Sequence, residues 1–221
     1  MTAMAPLEAY RLWAPRYDEE TVVSFLDDRL VREIGPAPAG LRLLDVGCGT
    51  GRRLGGTGAG LAVGVDLSRE MLAAGAGGGH SVATADVRAL PVAEAAFDLV
   101  WCRLVIGHVA EIGAVYQELA RVCRPGGTVV ITDFHPEAVA AGHRRSFRDA
   151  TGQVREIEHH LHPPESHQAW AELTGLRLLT SSAGRVGPIL RPFYRNAGRM
   201  DAYEQQLGLA LVLALAFRRE P

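Results

Sequence analysis

Short, almost unbroken apolar blocks alternate along this chain with polar stretches in which apolar residues return at helical intervals. Residues 41–46, 62–66, 82–86, 97–102 and 128–132 have the length and composition of strands buried on both faces. Between them, 69–74 opens a helix after Ser68, a residue type that caps helix N-termini. Residues 112–122 are amphipathic at the helical period and are stopped by Pro125-Gly126-Gly127. Ahead of the first strand, Leu26, Leu30 and Ile34 share one helical face, so 1–36 is predicted as a helical region that ends at the Pro/Gly run 35–40. Past Asp133 the regularity fades into a polar, histidine-rich stretch. A helix over 165–173 and strands over 176–179 and 207–217 then follow.

Strands alternating with helices at this spacing imply an α/β fold, with a doubly wound, mainly parallel seven-stranded sheet of Rossmann-like type. Without an internal repeat or a Ser/Pro linker, 1–221 reads as a single domain, with 134–168 as a cap insert after the fifth strand. Charge changes this picture only by exclusion. The net charge of −2 gives no basic surface for nucleic acid or an anionic membrane. Glu8, Arg11, Arg16 and Asp18 interrupt any leader-like apolar core, and 209–217 is about half the length of a membrane span. Cys48, Cys102 and Cys123 are odd in number and have no CxxC spacing, which suits a reducing compartment. A cytoplasmic monomer or homodimer is expected.

The chemistry begins at Asp45-Val-Gly47-Cys-Gly49-Thr-Gly51, at the carboxyl end of the first strand. Glycines there let the backbone turn and approach a ligand, and a helix is expected to open behind them. That helix carries four glycines at 55–60, each costing about 1 kcal/mol relative to alanine, so it is expected to be short. Asp66 ends the second strand, where a carboxylate meets ribose hydroxyls. The spacing is G-x-G-x-G rather than the G-x-G-x-x-G of dinucleotide sites. Asp45 would oppose a pyrophosphate but suits an ammonium or sulfonium, which points to S-adenosylmethionine.

At these residues the chain resembles the class I S-adenosylmethionine-dependent methyltransferases of small-molecule type. The resemblance continues through Gly64-Val-Asp66-Leu67-Ser68, Ala85-Asp86-Val87, Phe97-Asp98-Leu-Val100 and Arg124-Pro-Gly-Gly127. Trp13-Ala-Pro-Arg-Tyr17-Asp18 is similar to the opening of small-molecule members. The resemblance implies donor contacts at Tyr17, Asp45, Gly47, Gly49, Gly51, Asp66, Leu67, Asp86, Val87 and Arg103, with Asp86 accepting from the adenine amine. Tyr10 and Trp13 are alternatively packing residues of the N-terminal helix.

Methyl transfer from a sulfonium is an in-line displacement helped mainly by positioning, and a base is needed only where the acceptor must lose a proton. Acceptor-side candidates follow the fourth and fifth strands: Arg103, His108, Asp133, Phe134 and His135. His108 also suits a structural place at the start of a packed helix. Read as a strand, 154–162 puts Arg155, Ile157, His159 and Leu161 on one face, so His159 and His135 are the catalytic candidates. The other face carries His160 and His162, a pair able to bind a divalent metal or to lie solvated; no metal is the primary expectation. His143, Arg144 and Arg145 are cations suited to a substrate carboxylate or phosphate, or to solvent. Transfer of a methyl group to a small-molecule oxygen, nitrogen or carbon is the leading function. The alternatives are a catalytically silent S-adenosylmethionine-binding regulator, a metal-assisted methyltransferase and a dinucleotide-dependent oxidoreductase.

Overall fold

The computed structural model describes residues 3–221. Each apolar block forms a strand: β1 (Arg42–Val46), β2 (Leu61–Asp66), β3 (Ser81–Thr84), β4 (Phe97–Arg103) and β5 (Cys123–Phe134). Helices α1 (Pro6–Trp13) and α2 (Val22–Ile34) precede them, and α3 (Arg69–Ala74) and α4 (Gly113–Val122) lie between them. Ser68 caps α3 as its type suggests, its hydroxyl accepting from the Met71 N–H. Beyond β5 come α5 (Pro136–Ala140), the hairpin β6 (Ser146–Arg148) and β7 (Val154–Glu156), and α6 (Pro164–Leu173). β8 (Leu176–Arg185), α7 (Arg191–Asn196), α8 (Met200–Gln206) and β9 (Ala210–Arg219) complete the chain.

The sheet runs β3-β2-β1-β4-β5-β9-β8. Its first five members are parallel, and β9 is antiparallel to both β5 and β8. The expected seven-stranded, mainly parallel Rossmann-like sheet is therefore present. Alternate residues of the central strands enter different cores, which is why their sequences are apolar at nearly every position. Leu44, Val100, Ile131 and Leu215 pack with Tyr116 and Leu119 of α4, whereas Leu43, Leu99, Trp101 and Val130 pack with Val31 of α2.

Several boundaries differ from the sequence reading. β3 stops at Thr84, and Asp86 lies in the following turn, bridged to Ala89. β8 continues to Arg185 through Thr180-Ser181-Ser182, because an edge strand needs only one apolar face and its pairing to β9 carries the rest. β9 begins at Ala210 instead of 207; Leu207 is exposed at the end of α8, and Gly208 turns the chain. The helices α5, α7 and α8 are too short to show an amphipathic repeat. No helix follows Gly51: residues 51–56 are a chain of turns, as four nearby glycines oppose helix formation.

Those turns are held by charge. Asp27 of α2, fully buried, accepts from the Thr132 hydroxyl of β5 at 2.6 Å and from Arg103 Nη2 of β4 at 2.7 Å. It also pairs with Arg53 Nη2 of the glycine-rich loop at 3.0 Å. Neighbouring Asp28 bonds both arginines; burial raises its carboxyl, but the two guanidinium charges outweigh that and hold it below the usual range. Removing one partner from such a network strands the remaining buried charges. Asp27→Asn is expected to lower stability by about 3–5 kcal/mol, read as a fall in the urea midpoint. Glu19→Gln, at the exposed Arg16 pair, is expected to cost no more than about 0.5 kcal/mol. Equal effects of the two substitutions would show that the buried network does not anchor the fold.

Candidate active site

A cavity of about 540 Å³ opens at the carboxyl ends of β1, β2 and β4. Gly47 and Gly49 form its floor, with φ of 74° and 60°, values that favour glycine. A Cβ on Gly49 would sit 3.1 Å from the Tyr17 ring, and one on Gly47 would strike Val105 Cγ2 at 2.1 Å, so glycine is what allows these side chains to close in. Asp66 lines the cavity and is fixed by two backbone N–H groups, from Gly49 and Ser68, each at 2.8 Å. Burial raises its carboxyl above the usual range, against the pull of those N–H donors. Leu67 beside it is half exposed, an apolar face without protein cover. Asp86 and Val87 also line the cavity, with Asp86 paired to Arg88 at 2.6 Å.

Of the ten residues that the sequence assigns to the donor, eight line this cavity: Tyr17, Gly47, Gly49, Asp66, Leu67, Asp86, Val87 and Arg103. Two do not. Gly51 faces His80, Val82 and Leu54, where it serves the turn. Asp45 is 1% exposed and lies behind the floor, with Oδ2 unbonded. Burial pushes its carboxyl up to about 6, although Arg103 and Arg53 oppose the rise. Arg103 is held at the cavity wall by Asp27 and Asp28, over the Trp101 ring.

The proposed bases are placed differently from expectation. His135 caps α5, its Nδ1 accepting from the Glu137 N–H at 3.2 Å, and does not line the cavity. His159 bonds Asp133 Oδ1 through Nε2 at 3.3 Å, one layer behind the wall. Strand geometry ends at Glu156, so the alternation read over 154–162 fails beyond Ile157. Leu161, expected inward, is exposed, and His162, expected outward, is buried with Nε2 donating to the Val109 carbonyl at 2.8 Å. Among the described residues no group of three or more His, Cys, Asp or Glu converges as a metal site. All three cysteines are buried and unbridged.

The side chains that do meet at the cavity are Tyr10 and His108. The Tyr10 hydroxyl lies 2.9 Å from His108 Nε2, and His108 Nδ1 lies 3.2 Å from the Glu158 carbonyl. A carbonyl only accepts, so Nδ1 carries the proton of the neutral ring and Tyr10 donates to Nε2. Arg145 Nη2 donates to the same phenol oxygen at 2.8 Å and to the Leu104 carbonyl at 2.9 Å. Burial, then the Arg145 charge, lowers the His108 imidazole to about 3; burial pushes the Tyr10 phenol up to about 12. Leu104 stands at φ 58°, a left-handed conformation costing about 1 kcal/mol or more outside glycine, held by its N–H to Thr132. No residue spacing signals this constellation. Its members come from α1, the turn after β4 and the approach to β6, and meet only because the N-terminal segment and the stretch after β5 fold over the sheet.

That roof is built by two remote segments. The Met4 N–H donates to Glu156 and the Glu158 N–H to the Met4 carbonyl, so the N-terminal segment lies alongside the β6–β7 hairpin. Trp13 stacks on Phe147 at 5.3 Å, and Ala9, Phe147 and Ile157 form a small core beneath.

Known proteins resemble this chain in sequence and fold. A family model described as a methyltransferase domain matches residues 44–131. The 27-O-demethylrifamycin SV methyltransferase of Amycolatopsis mediterranei is 31% identical over 203 residues, covering 85% of this chain and 72% of that protein. Demethylmenaquinone methyltransferase of Mycolicibacterium paratuberculosis is 31% identical over 193 residues, covering 79% of this chain and 82% of that protein. The solved S-adenosylmethionine-dependent methyltransferase of Mesorhizobium loti matches the fold with a TM-score of 0.67 at 21% identity, over 90% of this chain and 100% of that one. With the glycine floor, the paired acids of β2 and the turn after β3, and relatives of this extent, the chain belongs to the class I S-adenosylmethionine-dependent methyltransferases.

Proposed function

We propose that this methyltransferase acts on a protic oxygen or nitrogen of its small-molecule acceptor, and that Tyr10 and His108 take up the acceptor's proton. The observation that carries the reading is the Tyr10–His108 pair on the wall of the cavity, with the histidine tautomer set by the Glu158 carbonyl. The Amycolatopsis relative is named for an O-linked methyl group, which supports oxygen.

The residues present fit S-adenosylmethionine. Asp66 offers carboxylate oxygens toward the cavity for ribose hydroxyls, and uncovered Leu67 with Val87 offers apolar faces for adenine. Asp86 accepts from the adenine amine once Arg88, itself largely exposed, swings aside. Gly47 and Gly49 leave room for the methionine end under Tyr17. Arg103 and buried Asp45 act on that end from the wall and from behind the floor. When bound, the donor supplies a methyl group activated by a sulfonium charge.

The chain then has two tasks, to hold the acceptor in line and to receive its proton. The Tyr10 oxygen accepts from Arg145, which leaves a second lone pair for an acceptor O–H or N–H. As that proton reaches the phenol oxygen, the phenol's own proton passes to His108 Nε2. The imidazolium so formed keeps its Nδ1 proton on Glu158. His159 is a positioning residue in this scheme, joined to Asp133 and packed edge-on against His108 and Phe134. We read 1–221 as one catalytic unit in which 134–168, clasped by the N-terminal segment, caps the site. No described helix is long and apolar enough to cross a membrane, and together with three free thiols this supports a cytoplasmic place.

Asp66→Ala is expected to weaken S-adenosylhomocysteine binding by about tenfold or more in calorimetric titration, since ribose hydroxyls lose their partner. Unchanged affinity would remove Asp66 from the donor site. A screen of phenols, alcohols and amines with methyl-labelled donor identifies the acceptor. On it, Tyr10→Phe and His108→Ala are expected to lower kcat by about 10²–10⁴ with donor affinity nearly unchanged. Independently, nitrogen NMR is expected to show His108 neutral, with Nδ1 protonated, down to about pH 4, because burial disfavours its charged form. Titration near the ordinary value of about 6.5 would contradict the buried relay.

A further inference from the structure

A second cavity of about 190 Å³ adjoins the first, and Tyr17 and Leu104 line both. Its walls are rich in arginine, with Arg52, Arg53, Arg144 and Arg145, beside His143, where burial holds the imidazole below its ordinary value. Glu19 is the one carboxylate lining it, and that group is engaged by Arg16 at 2.8 Å. Arg53 is neutralised by Asp27 and Asp28. The other arginines are not so matched. Arg52 approaches Asp18 and Asp28 only at 3.9 and 4.0 Å, and its buried Nε has no partner. Arg144 bonds only the carbonyls of Val139 and His143.

Arg145 is the telling case. It is 8% exposed, its acceptors are a phenol oxygen and a backbone carbonyl, and its Nε is buried with no partner. A guanidinium taken out of water is ordinarily paired with an anion, because an uncompensated buried charge is strongly disfavoured. Among the described residues no carboxylate bonds Arg145, buried Asp133 acting on it only from farther off, while a cavity lies alongside. Phe134 completes the wall, its ring 5.5 Å from the Arg145 guanidinium carbon.

We propose that this second cavity is an anion subsite that holds a carboxylate or phosphate group of the acceptor, gripped by Arg145 with Arg144 and Arg52. The assignment to the acceptor rests on the methyltransferase reading of the larger cavity. In that arrangement the same guanidinium that grips the anion also touches the Tyr10 phenol, so the bound head group and the proton-accepting pair share one rigid reference point. Acceptors lacking the anion would be held less tightly in line with the methyl group.

The test uses the full chain saturated with S-adenosylhomocysteine, so that the donor's own carboxylate is already in place. Benzoate, phenyl phosphate and the neutral control benzamide are then titrated and followed by protein-observed NMR. At least one of the two anions is expected to bind about tenfold tighter than benzamide, and the better one identifies the head group. Arg145→Gln is expected to abolish that preference. Arg144→Gln, which touches only two backbone carbonyls and keeps the fold, is expected to weaken the anion by about fivefold at unchanged S-adenosylhomocysteine affinity. No preference over benzamide, or a preference that survives both substitutions, would overturn the proposal. So would anion binding seen only without S-adenosylhomocysteine, since the arginines would then serve the donor's carboxylate. A prior titration with S-adenosylhomocysteine alone reads the donor affinity of each variant, so a failed donor site would show separately from a failed anion subsite.

Discussion

The buried carboxylate of Asp27 is the interaction on which the working end of this molecule depends. It gathers a hydroxyl from β5, a guanidinium from β4 and another from the glycine-rich loop onto one helix. A carboxylate with no access to water is tolerable only when such donors surround it, and donors so arranged cannot move independently. The position of Arg103 at the cavity wall is thus a consequence of α2 packing, and so is the course of the loop after Gly51. Where a helix would ordinarily brace the glycine floor, here a pair of arginines bound to acids on α2 does so.

A second constraint works from above. Both flanks of the chain, the N-terminal segment and the stretch after β5, lack enough apolar surface to stand alone, and they bury Ala9, Phe147 and Ile157 against one another. The backbone bonds of Met4 to Glu156 and Glu158 fix their register. That clasp carries Tyr10 to His108 and Arg145 to Tyr10, so the polar chain over the cavity is assembled by two segments more than a hundred residues apart in sequence. Burial there keeps the phenol protonated against the pull of the Arg145 charge, and burial and that charge together keep the imidazole neutral.

The sheet and the donor side of the site could be read from local sequence. Apolar blocks of strand length gave β1, β4 and β5, because burial on both faces leaves no polar positions to confuse the pattern, while β2 and the largely exposed edge strand β3 followed from the alternation with helices. Gly47, Gly49, Asp66, Asp86 and Val87 were legible because a nucleoside site at strand ends needs backbone turns and acids at fixed offsets along one stretch of chain. The histidines were not. His135 has the right strand end but its ring turns to cap α5, and His159 lies behind the wall because strand pairing stops at Glu156. His162 looked solvated by alternation and is buried, since coil obeys no alternation.

What the sequence determined by itself is the part whose chemistry is local: strand periodicity, the helix cap at Ser68, the glycine floor, the acids that line the cavity and hence the reaction class. Tertiary structure alone decided which polar groups share a space. Arg145 is an unremarkable cation between an arginine and a serine until the hairpin folds back and α1 covers it, removing water but bringing no carboxylate into bonding contact. Burial, and with it the cost of a charge and the basicity of an imidazole, is a property of every segment packed around a group, and no window of neighbouring residues contains it.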